Sequence, residues 1–471
     1  MNVDDAEKQC GAEDRPEPVT ARILHESEHP IQEQMLDREA LKVLYRLRDA
    51  GFKGYLVGGG VRDLYLGRTP KDFDVSTDAR PGQLRQLFRN SRTIGRRFRL
   101  VQVFFRGNRI IEVSTLRSSS EFDLDDKTVL PSNNTFGTLE EDAFRRDLTI
   151  NALFYEIENH TVIDYTGGVE DLERKIIRVV GQPDLRFTHD PVRMMRVVRH
   201  ASRTGFTIEP ETLAALHRHR DKLTLCPPSR IRDEILKDLQ SGAACAWAEL
   251  SMETTLWTAL FPFYAPLLEG PDSKAVRTEL LRVLTALDQL YPRTDGEDSA
   301  RLAEFFLFAV LLMPWACHRF DLPATNVRGQ RFHHLLEQIR NDVDLMFGQP
   351  FNVPRMAKDR LATLLINLST VHHAREQQGQ GGDPKWLQKK SYYKDCAQLY
   401  ALWRASQGIA AIEPEQFIEE QPQRDAVEVI APLPEAATGG AVPRSRGRGG
   451  NGRPAFSRER GGVFGFYHPR D

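Results

Sequence analysis

The chain changes its pattern once, near Pro183, and that change limits the possible folds more than any other feature. Before it lie short runs of β-branched and aromatic residues, broken by glycine and asparagine. After it, apolar residues recur at helical spacing. The first pattern is that of strands and the second that of amphipathic helices. GYLVGGG (54–60) reads as a buried strand entering a turn, and KDFDVST (71–77) as another strand. RLVQVFFRGNRIIEVSTLR (99–117) reads as a hairpin turning at Gly107-Asn108. DREALKVLYRLRDAG has apolar residues at 41, 44 and 47 and reads as a helix from near Asp37 to Gly51. Beyond Pro183, segments such as PVRMMRVVRHASRTG, IRDEILKDLQSG and MAKDRLATLLINL carry helical periodicity and strand signals vanish. The expected class is α+β: a head with a small mixed β-sheet, then an all-α neck, body and tail, with disordered termini.

Composition divides the chain further. Residues 1–36 are acidic and polar and are expected to be disordered; 37–182 form the mixed head; 183–262 form a helical neck; 263–408 form a helical body and tail domain. Residues 409–471 form a disordered tail, acidic at first and then rich in Arg and Gly, and 118–140 read as a polar loop. Residues 441–471 carry seven Arg against two acids. With so little to bury, their use is contact with a nucleic-acid backbone, through residues such as Arg444, Arg446 and Arg448. Net charge is only −2, so any nucleic-acid surface must be local. The longest apolar run, FFLFAVLLMPWA at 305–316, is too short to span a bilayer and reads as a buried helix. Five scattered cysteines and no signal-peptide pattern fit reduced thiols in a cytoplasm.

The chemistry gathers in GGGVRDLYLGRTPKDFDV, 58–75. Asp72 and Asp74 stand two residues apart on an expected strand, which turns both carboxylates to one face. Glu112 stands among apolar β residues of the hairpin and needs a partner or a metal. If the two strands pair, three carboxylates converge, a hard oxygen set that suits Mg²⁺. Gly58, Gly59 and Gly60, running from a strand into a helix, offer backbone N–H groups to an anion, and Arg62 adds a charge. The pattern is neither a Walker A loop nor the dinucleotide fingerprint.

These residues resemble the nucleotidyltransferase head of the class II tRNA CCA-adding enzymes and bacterial poly(A) polymerases. After LVGGGVRDLYLG and KDFDV come RRDLTINAL (145–153), similar to the family's RRDFT motif, and DYTGGVEDL (164–172), similar to motif C. HDPVRMMRVVRHASRTGF (189–206) resembles motif D, usually EDxxRxxRAxRF, with His189 in place of the family's Glu. RIRDEILKDL (230–239) resembles motif E. The resemblance implies that Asp72 and Asp74 bind metal beside Glu112, and that Asp147 is counted with them as catalytic. It implies that Gly58, Gly59 and Arg62 bind the triphosphate of ATP, that Arg146 joins Asp147 at the ribose, and that Asp190 and Arg193 select the base. Asp190 accepts hydrogen bonds and Arg193 donates, three residues apart on an expected helix face. Adenine and cytosine match that pair, whereas guanine and uracil reverse it.

TIGRRFRLVQV (93–103) resembles the IGRRFRLxHV segment of bacterial poly(A) polymerases, with Gln102 for the usual His. Arg92, Arg96, Arg97 and Arg99 there, with Arg230, would meet an RNA backbone. The resemblance implies template-independent addition of AMP from ATP to RNA 3′ ends, with Mg²⁺, in mRNA decay and RNA processing. The alternative is CCA addition to tRNA. Intact acids at 72, 74, 112 and 147 argue against a catalytically dead RNA-binding module.

Overall fold

The computed structural model describes residues 20–95, 99–118, 136–291, 302–348, 351–377 and 383–417. Of the stretches expected to be disordered, 1–19 and 418–471 lie outside them, as do most of the 118–140 loop, Arg96, Arg97, Arg444, Arg446 and Arg448; 409–417, expected to be disordered, is instead ordered, with Phe417 buried.

The head is built on an eight-stranded sheet. Its strands are β1 (Arg22–Leu24), β2 (Gly54–Val57), β3 (Asp74–Thr77), β4 (Ser91–Ile94), β5 (Leu100–Phe104), β6 (Ile110–Thr115), β7 (Leu153–Glu156) and β8 (Thr161–Asp164). Their order is β1-β8-β7-β2-β3-β6-β5-β4. Neighbours are antiparallel except β3 and β6, so the sheet is mixed, as expected, though not small. β5 and β6 are the anticipated hairpin, with Gly107 at φ 75° in its turn.

Alternation along these strands gives the sheet two unlike faces. Val75, Val113 and Val101 share one ladder position and are fully buried with Leu56. They join Val43, Leu44 and Leu47 of α1 (Arg38–Asp49) in one apolar cluster. Each such burial contributes about 1.5–3 kcal/mol. α1 starts where Asp37 accepts from the N–H groups of Glu39 (2.8 Å) and Ala40 (3.0 Å). It ends before Gly51, at φ 80°.

Residues 20–36, read from sequence as part of a disordered leader, are ordered. β1 pairs antiparallel with β8 through Arg22↔Asp164, Ile23↔Ile163 and Leu24↔Val162. Leu24, Ile31 and Leu36 are buried, and His29 Nε2 bonds the His160 carbonyl at 2.8 Å.

The remaining head helices are α2 (Gly59–Tyr65), α3 (Pro81–Leu87), α4 (Leu139–Phe144) and α5 (Gly168–Arg174). Then follow α6 (Pro183–His189), α7 (Val192–Thr204), α8 (Pro210–His219), α9 (Pro228–Leu239), α10 (Ala244–Glu253), α11 (Leu256–Leu260) and α12 (Ala265–Leu268). The last are α13 (Ser273–Asp288), α14 (Glu304–Phe320), α15 (Gln330–Phe347), α16 (Arg355–Gln377), α17 (Lys385–Gln388) and α18 (Tyr393–Ser406). One exception interrupts the expected all-α region. Gly205 stops α7 at φ 73°, and Thr207–Ile208 (β10) then pairs in parallel with Ile176–Ile177 (β9). The apolar run expected as a core helix is α14, buried at every position from Phe306 to Ala316. No helix among the described residues is long and apolar enough to cross a membrane. The cluster that begins at Leu24 continues through α7, α10 and α13 to Phe417.

Candidate active site

β2 runs straight into the glycine turn. Gly58 has φ 69° and ψ −133°, a backbone state that side chains resist. A Cβ on Gly58 would lie 3.4 Å from Arg146 Nη1, and one on Gly59 would lie 3.5 Å from Arg62 Nη2. Two guanidinium groups therefore flank the turn. Arg62 is held from three sides. Its Nε and Nη2 donate to Asp63 at 2.9 and 3.0 Å, and its Nη1 donates to Asn151 Oδ1 at 2.7 Å and lies 3.3 Å from His200 Nδ1. Arg146 donates to Asp142 (2.8 Å) and Ser76 Oγ (3.3 Å), with its guanidinium 5.0 Å from the Phe154 ring centroid.

The carboxylates meet at the same end of the sheet. The register puts Val57 opposite Asp74, Asp74 opposite Glu112, Glu112 opposite Gln102 and Gln102 opposite Arg92. Cross-strand partners share a face, so Asp74, Glu112, Gln102 and Arg92 form one polar row. Gln102 Nε2 donates to Glu112 Oε1 at 3.0 Å. Asp72 departs from expectation: it precedes β3, in the connecting loop, and is exposed. Its backbone carbonyl lies 3.4 Å from a Cβ built on Gly60, so the glycine turn packs against the loop carrying it. Asp74 stands at the open leading end of its strand, but the protein packed around its carboxyl desolvates it. That desolvation first, then Glu112 and Asp72, push the Asp74 carboxyl up to about 6. Among the described residues no set of three or more Asp, Glu, His or Cys side chains is arranged to hold a metal ion. The donor chemistry nevertheless fits Mg²⁺, which takes one or two protein carboxylates and completes its shell with water and phosphate oxygens. A cation there would relieve the repulsion on Asp74.

Asp147 has a separate set of hydrogen-bond partners. It follows α4 and accepts from Leu148 N–H at 2.8 Å, with Arg196 Nη1 at 3.3 Å from its other oxygen. Burial works against its charge, but Arg196 and Arg193 outweigh burial and hold the carboxyl well below its usual range. Asn151 connects this carboxylate to Arg62 and to His200 Nε2, 3.3 Å away. Arg62 can only donate, so His200 Nδ1 must accept and the ring is neutral. Burial, then Arg62, pushes its pKa down to about 3. α7 and α9 are fastened by a further buried set. Arg199 donates to Asp238 at 2.5 and 3.1 Å, to the Glu234 carbonyl at 2.7 Å and to the Glu234 carboxylate. Arg196 reaches Glu234 at 3.4 Å.

Asp190 and Arg193, expected to select the base, are not on one helix. Asp190 caps the C-terminus of α6, with φ −141° and ψ 82°, and Arg193 lies in the first turn of α7. Pro191, between them, starts the new helix. The two side chains still approach to 3.9 Å. Arg230, expected on RNA, instead grips Asp190 through two bonds of 3.0 and 3.2 Å. Arg193 donates to the carbonyls of Arg146 (3.1 Å) and Arg145 (3.0 Å). Arg99 is exposed beside β5.

Residues 54–178 match the family described as "Poly A polymerase head domain", and residues 205–268 the one described as "Probable RNA and SrmB- binding site of polymerase A". The chain is 43% identical over 300 residues to poly(A) polymerase I of Escherichia coli O6:H1, covering 61% of this chain and 63% of that relative. It is 37% identical over 342 residues to poly(A) polymerase I of Haemophilus influenzae, covering 71% of this chain and 74% of the relative. The chain belongs to the poly(A) polymerase and CCA-adding enzyme family. The CCA-adding enzyme of Lactobacillus gasseri is also similar, 40% identical over 333 residues, with 66% of this chain and 80% of that one covered. The chain spans just under two thirds of the E. coli relative's length. Within this poly(A) polymerase and CCA-adding family chain, the head match holds the glycine turn, the three carboxylates and Asp147, and the second match holds Arg230, Glu234 and Asp238. Asp190, Arg193, Arg196 and His200 fall between the two. His200 and Asn151 escaped the sequence reading. His200 was visible, since the motif EDxxRxxRAxRF ends in Phe where this chain has His. Asn151 has no local signal.

Proposed function

We propose that this protein adds AMP from ATP to RNA 3′ ends without a template, releasing pyrophosphate, in cytoplasmic RNA processing and mRNA decay. One observation carries this reading. The Asp74–Glu112 ladder pair, the loop bearing Asp72, and the glycine turn with its two arginines share one end of one sheet. That arrangement suits a triphosphate whose α-phosphorus sits beside carboxylates and whose β- and γ-phosphates lie over glycines.

In the reaction, the RNA 3′ oxygen forms a bond to the α-phosphorus, the bond to the bridging oxygen of pyrophosphate breaks, and the hydroxyl proton leaves. Asp72 and Asp74 would hold Mg²⁺, which supplies charge neutralisation and makes the hydroxyl more acidic. Glu112, steadied by Gln102, adds negative charge beside them. Arg62 is already fixed by Asp63, Asn151 and His200, so its Nη2 faces the turn without further ordering. Arg146 adds a second cation there. Asp190, gripped by Arg230 through one lone pair on each oxygen, keeps a second lone pair on each for an exocyclic amine. Arg92 ends the polar row on the exposed edge strand β4, and with Arg99 favours an RNA backbone arriving from that side. With β1 part of the head sheet and Phe417 in the core, the working division becomes a catalytic head at 20–182, a neck at 183–262 and a body and tail from 263 to 417.

A second reading, addition of C, C and A to tRNA, is favoured by the similarity to a CCA-adding enzyme. One gel separates them. ATP or CTP, singly and together, is offered to an RNA oligomer and to tRNA lacking its 3′ end. Long tails from ATP alone on the oligomer support the proposal. Arrest after C, C and A on tRNA would overturn it.

A further inference from the structure

Two histidines of the sequence, His333 and His373, have no part in the site above. They come from different helices, α15 and α16, and line the same cavity. The cavity has a volume of about 600 Å³, ample for a nucleotide. Phe332 and Trp386 complete its aromatic walls, and no acidic side chain lines it. Trp386 is 50% exposed, a large apolar ring left open on a short helix. His373 Nε2 lies 2.9 Å from the Ala324 carbonyl and so donates to it. That commits one ring nitrogen and argues against a metal between the histidines. Among the described residues no metal-binding cluster exists here.

Around it, exposed basic side chains outnumber exposed acids: Glu376, two residues past Ala374, is exposed, whereas Asp383, beside Pro384, is buried and paired with Arg375. Arg328 lines the cavity and is exposed. Arg331 on α15, Lys385 on α17, and Lys389 and Lys390 just beyond it are also exposed. Those last four have no ion pair among the described residues. Open aromatic faces inside a basic rim are what a flexible polyanion with flat rings requires. Rings stack on bases and cations meet phosphates. An acidic protein segment would satisfy the rim but would leave the aromatic walls without a ring.

We propose that this cavity receives a base of the single-stranded RNA substrate, with Trp386 as its stacking surface and Arg328, Lys385 and Lys389 on the adjoining backbone. The site lies outside both family matches, which end at residue 268. It rests on the RNA reading given above.

The test uses the full chain and a fluorescent oligoadenylate of about twenty nucleotides. Trp386→Ala should weaken binding about ten-fold, and Trp386→Phe, which keeps a ring, should recover most of that loss. KM for ATP on a trinucleotide primer, too short to occupy both sites, should stay unchanged. Inorganic polyphosphate, which has charge but no bases, should bind Trp386→Ala as well as it binds the parent. Oligoadenylate affinity within about two-fold of the parent overturns the site, as does a polyphosphate loss equal to that for RNA. A parallel fall in trinucleotide-primed addition also overturns it, by making the change a general one. If the parent chain binds no RNA, both this site and the proposed function fall. If only the variants behave alike, this site alone falls.

Discussion

Glu234→Gln tests the buried fastening between α7 and α9. Glu234 is 4% exposed and is met by Arg199, Arg196 and Lys237. Burial alone would raise its pKa. Arg199 and then Arg196 reverse that and hold it at about 2, against an ordinary value of 4.5. A difference of this size, at about 1.4 kcal/mol per unit, makes ionised Glu234 worth roughly 3 kcal/mol. Breaking a buried pair costs about 3–5 kcal/mol, which agrees. The folded pKa is the depressed one. The contribution is therefore complete above pH 4.5 and is lost as pH falls through about 2. Urea unfolding of parent and Glu234→Gln from pH 7 downward should show a gap of roughly 3 kcal/mol that closes below pH 4.5. A gap under about 0.5 kcal/mol at neutral pH, or one that does not change with pH, refutes the reasoning. The consequence for function is positional, because α7 carries Arg193 and α9 carries Arg230, the two arginines nearest Asp190.

Other outcomes follow from the same geometry. Asp74→Asn should abolish nucleotide addition yet raise the thermal midpoint at pH 8, since it removes a charge that Glu112 and Asp72 repel; a lowered midpoint would contradict that account. His200→Phe should raise KM for ATP about five-fold with kcat nearly unchanged, because Arg62 loses one acceptor, and His200→Gln should restore it; equal KM values would deny His200 a positioning role. Arg230→Gln should relax discrimination between ATP and GTP, measured as the ratio of kcat/KM, rather than reduce RNA affinity. Deleting 441–471 should flatten the salt dependence of RNA binding, and an unchanged slope would rule the tail out.

The head was legible where its signals were local. Gly107-Asn108 between two β-rich runs announced the hairpin, and Asp37 with Gly51 bounded α1. β1 was hidden because its partner β8 is some 140 residues away, Arg22 facing Asp164, and three residues carry no periodicity. Asp72 was placed on a strand because i, i+2 spacing cannot say where hydrogen bonding begins. The break at Pro191 was written in the sequence, since a proline resists helix on its N-terminal side. Arg230 was read as a free basic residue because the partner that takes up its charge lies 40 positions earlier, at Asp190. Such pairings depend on how helices pack, which one sequence does not encode locally.

The polar row has one more effect. On the same face it continues from Asp74 through Val57 to Phe154, members of a second, smaller apolar cluster with Tyr55, Leu116 and Ala143. Suppose β6 paired one residue out of step. Glu112 would then turn inward against Val75 and Val101, and Val113 would turn out toward the face that bears Asp74. A buried carboxylate without a partner costs several kcal/mol, so the misregistered chain would be unstable as well as inactive. Pairing errors in this sheet would therefore be removed by unfolding. They would not persist as a folded protein with its site acids misplaced.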